Sequence, residues 1–422
     1  MSVTKLNKKS YFIVFFATIV RYYDYSLFGI SAAAIASNFM PSASNSDKLL
    51  DFFMIFSFSV IAKPLGSIIF GRMADKIGRT YCFKITTIIS ASTVLILGIL
   101  PQYQVIGVIA AAIVTICRMF FLMSLAGEVD TIKVYIAEKI GKKHRNLVSG
   151  LVSFFAQIGV LIAASMYSFT LSYNNDVAWL WRINFIIGGI LGLIVFYLRS
   201  HLKESDYYNE KKNIHQEEFN LGTIKLVVKN SRKFLLALIL SGGIGASYNF
   251  LIIFLGTFAS NVVGIISPVE AAKNNVILIG TYAISCIVSG LWADKARSIY
   301  QQVFLALIAV LITISIAQLS IMHKFLFSCQ LILVVFMPIY MIPLQIKLQS
   351  MFSVVARVRM YSLAHSLGSM IFSATIPFFC MLIWKYTENF SLVYGYFALI
   401  ISMMILAASK LSYDNFENMF ET

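Results

Sequence analysis

Seven ionisable residues lie inside otherwise apolar runs of this 422-residue chain: Arg21, Asp24, Lys63, Arg118, Glu128, Asp130 and Lys133. A charge at the centre of a membrane-spanning helix costs about 2.5–3.5 kcal/mol on insertion scales, so each is a candidate for function. Carboxylates in such places exchange protons or hold cations, and guanidinium and ammonium groups hold carboxylates.

Spacing sorts these groups. Arg21 and Asp24 are three residues apart on one helical face and are expected to pair locally, keeping Asp24 ionised as a structural ion pair or a substrate site. Asp130 and Lys133 have the same spacing, whereas Glu128 lies about 200° around the helix from Asp130 and about 140° from Lys133. Glu128 therefore has no partner on its own helix and is expected, ahead of Asp24, to carry a proton. On that reading Glu128→Gln abolishes proton-linked uptake and preserves exchange of bound substrate. The alternative is an ion pair between Glu128 and another helix.

Around these charges stand Tyr22, Tyr23 and Tyr25, and further along the chain Tyr248 and Asn249. Their aromatic faces suit a quaternary ammonium by cation–π attraction, although lipid-facing or packing roles fit the same residues. His365, beside Ser366, is a weaker candidate for lining the same cavity. No metal-ligand pattern, nucleotide loop or Ser/His/Asp set is present, so neither an enzyme nor a cofactor is expected. The five cysteines are widely spaced and read as packing residues.

The elements that position these groups follow from composition. The chain is 59% hydrophobic and 13% charged, against about 45–50% and about 25% in soluble domains. Spans of roughly 20 apolar residues fall at 11–38, 52–73, 82–100, 105–136, 147–172, 179–199, 233–260, 272–293, 300–320, 325–346, 358–384 and 391–409. An all-α membrane protein of twelve helices is expected, with an N-terminal half at 1–202, a polar linker at 203–232 and a C-terminal half at 233–422. The net charge of +15 sits in alternate short connectors, which is the positive-inside pattern and excludes a nucleic-acid-binding face. Both termini are expected inside a bacterial inner membrane, in contact with lipid, and the first helix is expected to be retained rather than cleaved as a signal peptide.

One motif repeats. Gly71-Arg-Met-Ala-Asp75-Lys76-Ile-Gly78-Arg79 recurs as Gly290-Leu-Trp-Ala-Asp294-Lys295-Ala-Arg297, each copy closing the second helix of its half. Duplicated halves around a midplane site are the architecture of alternating-access carriers. Asp75 is expected to cap the N-terminus of the third helix and to meet the positive end of a neighbouring helix dipole.

The first copy resembles the signature loop of the major facilitator superfamily, and the whole chain more closely resembles its metabolite:proton symporter family. Tyr23-Asp24 looks like that family's E-W-Y-D segment, Lys63-Pro64-Leu65-Gly66 like its R-P-L-G, and Gly127-Glu128 with Ala137-Glu138 like its G-E and A-E pairs. Trp181-Arg182-Ile183, Leu198-Arg199 and Phe352 with Arg357 look like further landmarks, the last of the F-P-x-x-x-R loop. The resemblance implies a major facilitator fold and a latch, made by Gly71, Asp75, Arg79, Asp294 and Arg357, that holds the outward-facing state. It implies symport of a small solute with a proton. The sequence departs from the family at Arg21, where the family has Glu, and at Phe121-Leu122, where it has Q-G.

A monomeric carrier of a proline- or betaine-type osmolyte is the expectation, with Arg21, Lys63 and Arg118 available for a carboxylate. A dicarboxylate symporter, an uncoupled facilitator or exchanger, and a transport-incompetent membrane sensor are the alternatives.

Overall fold

The computed structural model describes residues 8–41, 51, 55, 58–139, 144–172, 179–201, 222–261, 263–296, 298–319, 326–353 and 356–411. Among the described residues every regular element is helical, and eleven helices are long and apolar enough to cross a membrane. The span expected at 52–73 is described in part: a 3₁₀ turn at Ser59–Ile61 leads into α3, Ala62–Lys76.

The chain forms two compact units. The first comprises Met1–Lys139, Phe155–Asn220 and Val354–Ser362, and the second Ile140–Phe154, Leu221–Ser353 and Leu363–Thr422. Each unit thus takes in a short segment from the opposite half of the sequence.

In the first unit lie α1 (Lys8–Ile30), α2 (Ala32–Phe39), α3, α4 (Arg79–Ile99), α5 (Ile109–Lys139), most of α6 (Arg145–Ser172) and α7 (Trp181–Arg199). The single helix expected at 11–38 is broken at Ser31, whose φ of −87° and ψ of 15° are not helical. Its interior joins Leu27, Phe39, Val114, Phe121, Trp181 and Phe185. Lipid tails are as apolar as leucine, so helices associate through close packing at small residues rather than by escape from water. Accordingly α4 meets α7 where Gly192 faces Ala91 and Gly98 faces Ile186, and α3 meets α5 where Gly66 lies against the backbone of Met123. Gly66→Ala is therefore expected to destabilise the fold by about 1–3 kcal/mol, since backbone cannot yield to the added methyl. Gly280→Ala meets nothing within 4 Å and gains about 0.5–1 kcal/mol of helix propensity. Thermal unfolding of both variants in detergent checks the contrast.

The second unit holds α8 (Ser231–Tyr248), α9 (Leu255–Asn261), α10 (Pro268–Lys295), α11 (Ile299–Leu319), α12 (Leu326–Ser350), the second half of α13 (Arg357–Gly368), α14 (Ile376–Thr387) and α15 (Phe390–Ser409). The start of α10 carries the expected chemistry, with Pro268 in its first turn and Ser267 Oγ accepting from the Glu270 N–H at 3.2 Å. Two runs expected as continuous helices contain π-helical segments, Asn249–Phe254 between α8 and α9 and Ser369–Ser373 after α13. Asn249 Nδ2 donates to the Ser373 carbonyl at 2.8 Å and to Ser373 Oγ at 3.0 Å, joining the two segments.

Candidate functional site

Helix α1 brings Arg21, Tyr22, Asp24 and Tyr25 into the interior of the first unit, facing Lys63 of α3 and Arg118 of α5. Arg118 is buried, its guanidinium carbon 4.3 Å from the ring centre of Phe28, 5.5 Å from that of Tyr25 and 5.8 Å from that of Phe121. Lys63 Nζ lies 5.7 Å from the centre of the Tyr25 ring, and the Arg21 guanidinium carbon 4.8 Å from that of Phe121. Tyr22 packs edge-on to Tyr25 at 6.4 Å. Three cations are thus set among aromatic rings, a surround in which a cation keeps favourable quadrupole contacts while out of water.

The carboxylates divide differently from the helical-wheel expectation. Among the described residues Glu128 has no ion-pair partner along α5, but across helices its Oε1 meets Arg199 Nη1 at 2.8 Å and its Oε2 meets Arg21 Nη2 at 3.4 Å. Arg199 also donates to Thr87 Oγ1 and lies over the Phe83 ring, while Arg21 Nη2 donates to Ser124 Oγ at 2.8 Å. The local Arg21–Asp24 pair does not close, because Arg21 reaches across to α5 instead. Asp24 is 4% exposed, and its Oδ1 has no hydrogen-bond partner among the described residues. Asp130 is buried on α5. The side chain of Lys133 lies outside the described residues.

Tyr248, Asn249 and His365 belong to the second unit. Tyr248 packs edge-on to Tyr282 at 5.5 Å, Asn249 is committed to Ser373, and His365 is half-buried on α13.

Asp75 is fully buried, and it caps a helix other than the expected one. The turn into α4 is made by Gly78, whose φ of 139° suits glycine, without a side-chain cap. Asp75 instead accepts from the backbone N–H groups at the start of α13: Oδ2 from Arg359 at 2.8 Å and Oδ1 from Val358 at 3.3 Å. Arg79 Nη1 stands 3.2 Å from Asp75 Oδ1, and Arg359 Nε 3.4 Å from Oδ2. Gly71 permits the approach, since a Cβ there would lie 2.9 Å from Arg359 Cα. In the second unit Asp294 repeats the cap on the start of α6. Its Oδ1 accepts from Asn146 N and Nδ2, both at 3.0 Å, and its Oδ2 from Leu147 N at 2.9 Å. Gly290 stands where Gly71 does, its missing Cβ making room for the backbone of Asn146 and Leu147. Arg357 is buried at the start of the same helix as Arg359. Arg297 lies outside the described residues.

Sequence reasoning passed over Arg199, Arg359, Ser124 and Asn146 as site residues. Arg199 had a signal, as a basic residue ending an apolar run, but a serine in mid-helix and an asparagine at a helix start carry none.

Helices long enough to cross a membrane, buried charges within them and a twice-used helix cap define a polytopic membrane protein of the transporter class. The Major Facilitator Superfamily model matches residues 14–372, and the chain belongs to that family. A Staphylococcus haemolyticus protein, named provisionally as a proline/betaine transporter, is 27% identical over 387 residues, covering 88% of this chain and 80% of its own. The citrate-proton symporter of Salmonella typhi is 27% identical over 246 residues, 58% of this chain and 56% of that protein. The proline/betaine transporter of Escherichia coli is 29% identical over 194 residues, 45% and 39% of the two chains. Among solved structures, the proton:xylose symporter bound to 6-bromo-6-deoxy-D-glucose superposes with a TM-score of 0.76 at 15% identity, covering 98% of both chains. The transporter FucP in an outward conformation gives 0.73 at 12% identity, covering 96% of this chain and 98% of that one. These two likenesses establish the fold.

Proposed function

We propose that the protein is a secondary active transporter of a bacterial inner membrane, with both termini cytoplasmic, importing a small carboxylate-bearing organic solute together with a proton. The observation that carries this reading is the group of buried Arg21 and Arg118 with half-buried Lys63, set among Tyr25, Phe28 and Phe121. Such a surround suits the carboxylate of a proline- or betaine-type osmolyte, and relatives named for proline/betaine transport support that class. Alternating access would make and break the two caps that Asp75 and Asp294 place on α13 and α6.

A second reading, an organic-acid symporter, is favoured by one contact pattern. Arg118 and Lys63 already cover the Tyr25 ring, so that ring offers less to a substrate ammonium and the two cations more to a second carboxylate. Uptake of labelled proline, glycine betaine, succinate and citrate into proteoliposomes separates the two readings. Transport of none of the four under an imposed pH gradient sinks both.

For the proton, the geometry favours Asp24 over Glu128. Glu128 is held between two arginines and gains most by staying charged, whereas Asp24 is buried without an ion pair among the described residues. Asp24→Asn is expected to abolish accumulation, which under a gradient of about one pH unit reaches about tenfold for one proton per solute. Counterflow exchange of the same solute is retained. Accumulation equal to wild type in this variant rules Asp24 out.

A further inference from the structure

The carboxyl of Asp24 is seated against α7 at Gly188, which is buried and one helical turn beyond Asn184. A methyl group placed on Gly188 would overlap Asp24 Oδ1 and press on Tyr23 Cε1 at 3.1 Å, while Val94 Cγ1 lies at 3.4 Å, the edge of ordinary contact. The notch left by the missing side chain is therefore filled chiefly by the orphan carboxyl oxygen, with the edge of the Tyr23 ring beside it. The Tyr23 ring beside it is fixed by its hydroxyl, which donates to the Asn184 carbonyl at 3.0 Å.

We infer that Gly188 is a positioning residue for proton coupling: its notch holds the Asp24 carboxyl against α7 and away from the guanidinium of Arg21. This rests on the reading of Asp24 as the proton carrier. The charged and titratable groups acting on Asp24 are Arg21 and Tyr23 of its own helix and Glu128 of α5. Helices α4 and α7 present Val94 and Gly188 to it. Arg21 is one turn away on the same face, and its Nε and Nη1 are buried without hydrogen-bond partners among the described residues. A carboxyl displaced from the notch has those N–H groups as its nearest charged donors. Paired there it stays ionised, because an opposite charge in contact favours the charged form.

Gly188→Ala makes this displacement together with a shift of a few tenths of an ångström in the Tyr23 ring, and the clashing carboxyl oxygen can yield because it ends a side chain. The test uses the full chain in proteoliposomes and reads the infrared carbonyl band of a protonated buried carboxyl against pH, so no substrate is needed. Wild type is expected to give a band that Asp24→Asn lacks, and in Gly188→Ala its midpoint moves about one to three pH units to acid. A wild-type midpoint in Gly188→Ala overturns the inference while leaving Asp24 in place. A band that persists in Asp24→Asn refutes the underlying reading instead. Gly189→Ala, whose methyl meets the Leu95 side chain, keeps the wild-type midpoint, and the same shift in that control also overturns the inference. Should Gly188→Ala fail to reach the membrane, Asp24→Glu poses the question again. Its extra methylene carries the carboxyl past the notch, so the same acid shift is expected and an unchanged midpoint counts against the inference.

Discussion

Asp75→Ala is expected to lower the stability of the protein by about 3–5 kcal/mol and to stop transport, because it removes a buried carboxylate that meets two guanidinium groups with no access to water. Asp75, Arg79 and Arg359 are each fully buried, and the one carboxylate serves both arginines and two backbone N–H groups of α13. Breaking such a cluster costs far more than its net contribution, since the surviving charges lose a buried counter-charge that water does not replace. Asp294 gives the comparison. It accepts three hydrogen bonds at the start of α6 but is only half-buried. Asp294→Ala is expected to lose only a helix cap, about 0.5–2 kcal/mol. Thermal unfolding in detergent measures both. Equal losses would mean that the cap, and not the buried ion cluster, dominates at Asp75.

Glu128→Gln is the second large effect, with an expected loss of about 3–5 kcal/mol as Arg21 and Arg199 face each other without a shared carboxylate. Both gradient-driven uptake and counterflow exchange fall in this variant, whereas Asp24→Asn loses only the first. This differs from the expectation raised by the helical wheel, under which the same variant keeps exchange. Adding Arg199→Gln removes one of the two facing cations and recovers part of the stability, the non-additivity expected of residues in one network. Retained exchange with wild-type stability in Glu128→Gln would mean that the carboxylate is not the keystone of this triad.

The spans were legible because membrane helices announce themselves by apolar length, and the expected ends near 199, 293 and 409 fall close to the observed helix ends at Arg199, Lys295 and Ser409. Interruptions were harder to read. The break at Ser31 and the π-helical segment at Asn249–Phe254 interrupt apolar runs with no proline nearby, so hydropathy carries no mark of them, whereas Ser369–Ser373 precedes Pro377, whose missing N–H frees the Ser373 carbonyl. The aspartates of the repeated motif were legible as caps, because a carboxylate recurring at the end of equivalent helices has little other use. Which helix each would cap was not.

What the sequence by itself determined is the class: a helical membrane protein, duplicated around Asp75 and Asp294, with ionisable groups concentrated in its first half. Tertiary structure alone decided their pairing. Local spacing joined Arg21 to Asp24, yet Arg21 turns to Ser124 and Glu128, more than a hundred residues away, and Arg199 of α7 completes the set. The reason is physical. The period of a helix fixes which residues share a face, but the rotation of each helix and its closeness to its neighbours are set by packing at positions such as Gly66, Gly71 and Gly188. A carboxylate's partner across helices follows from that packing.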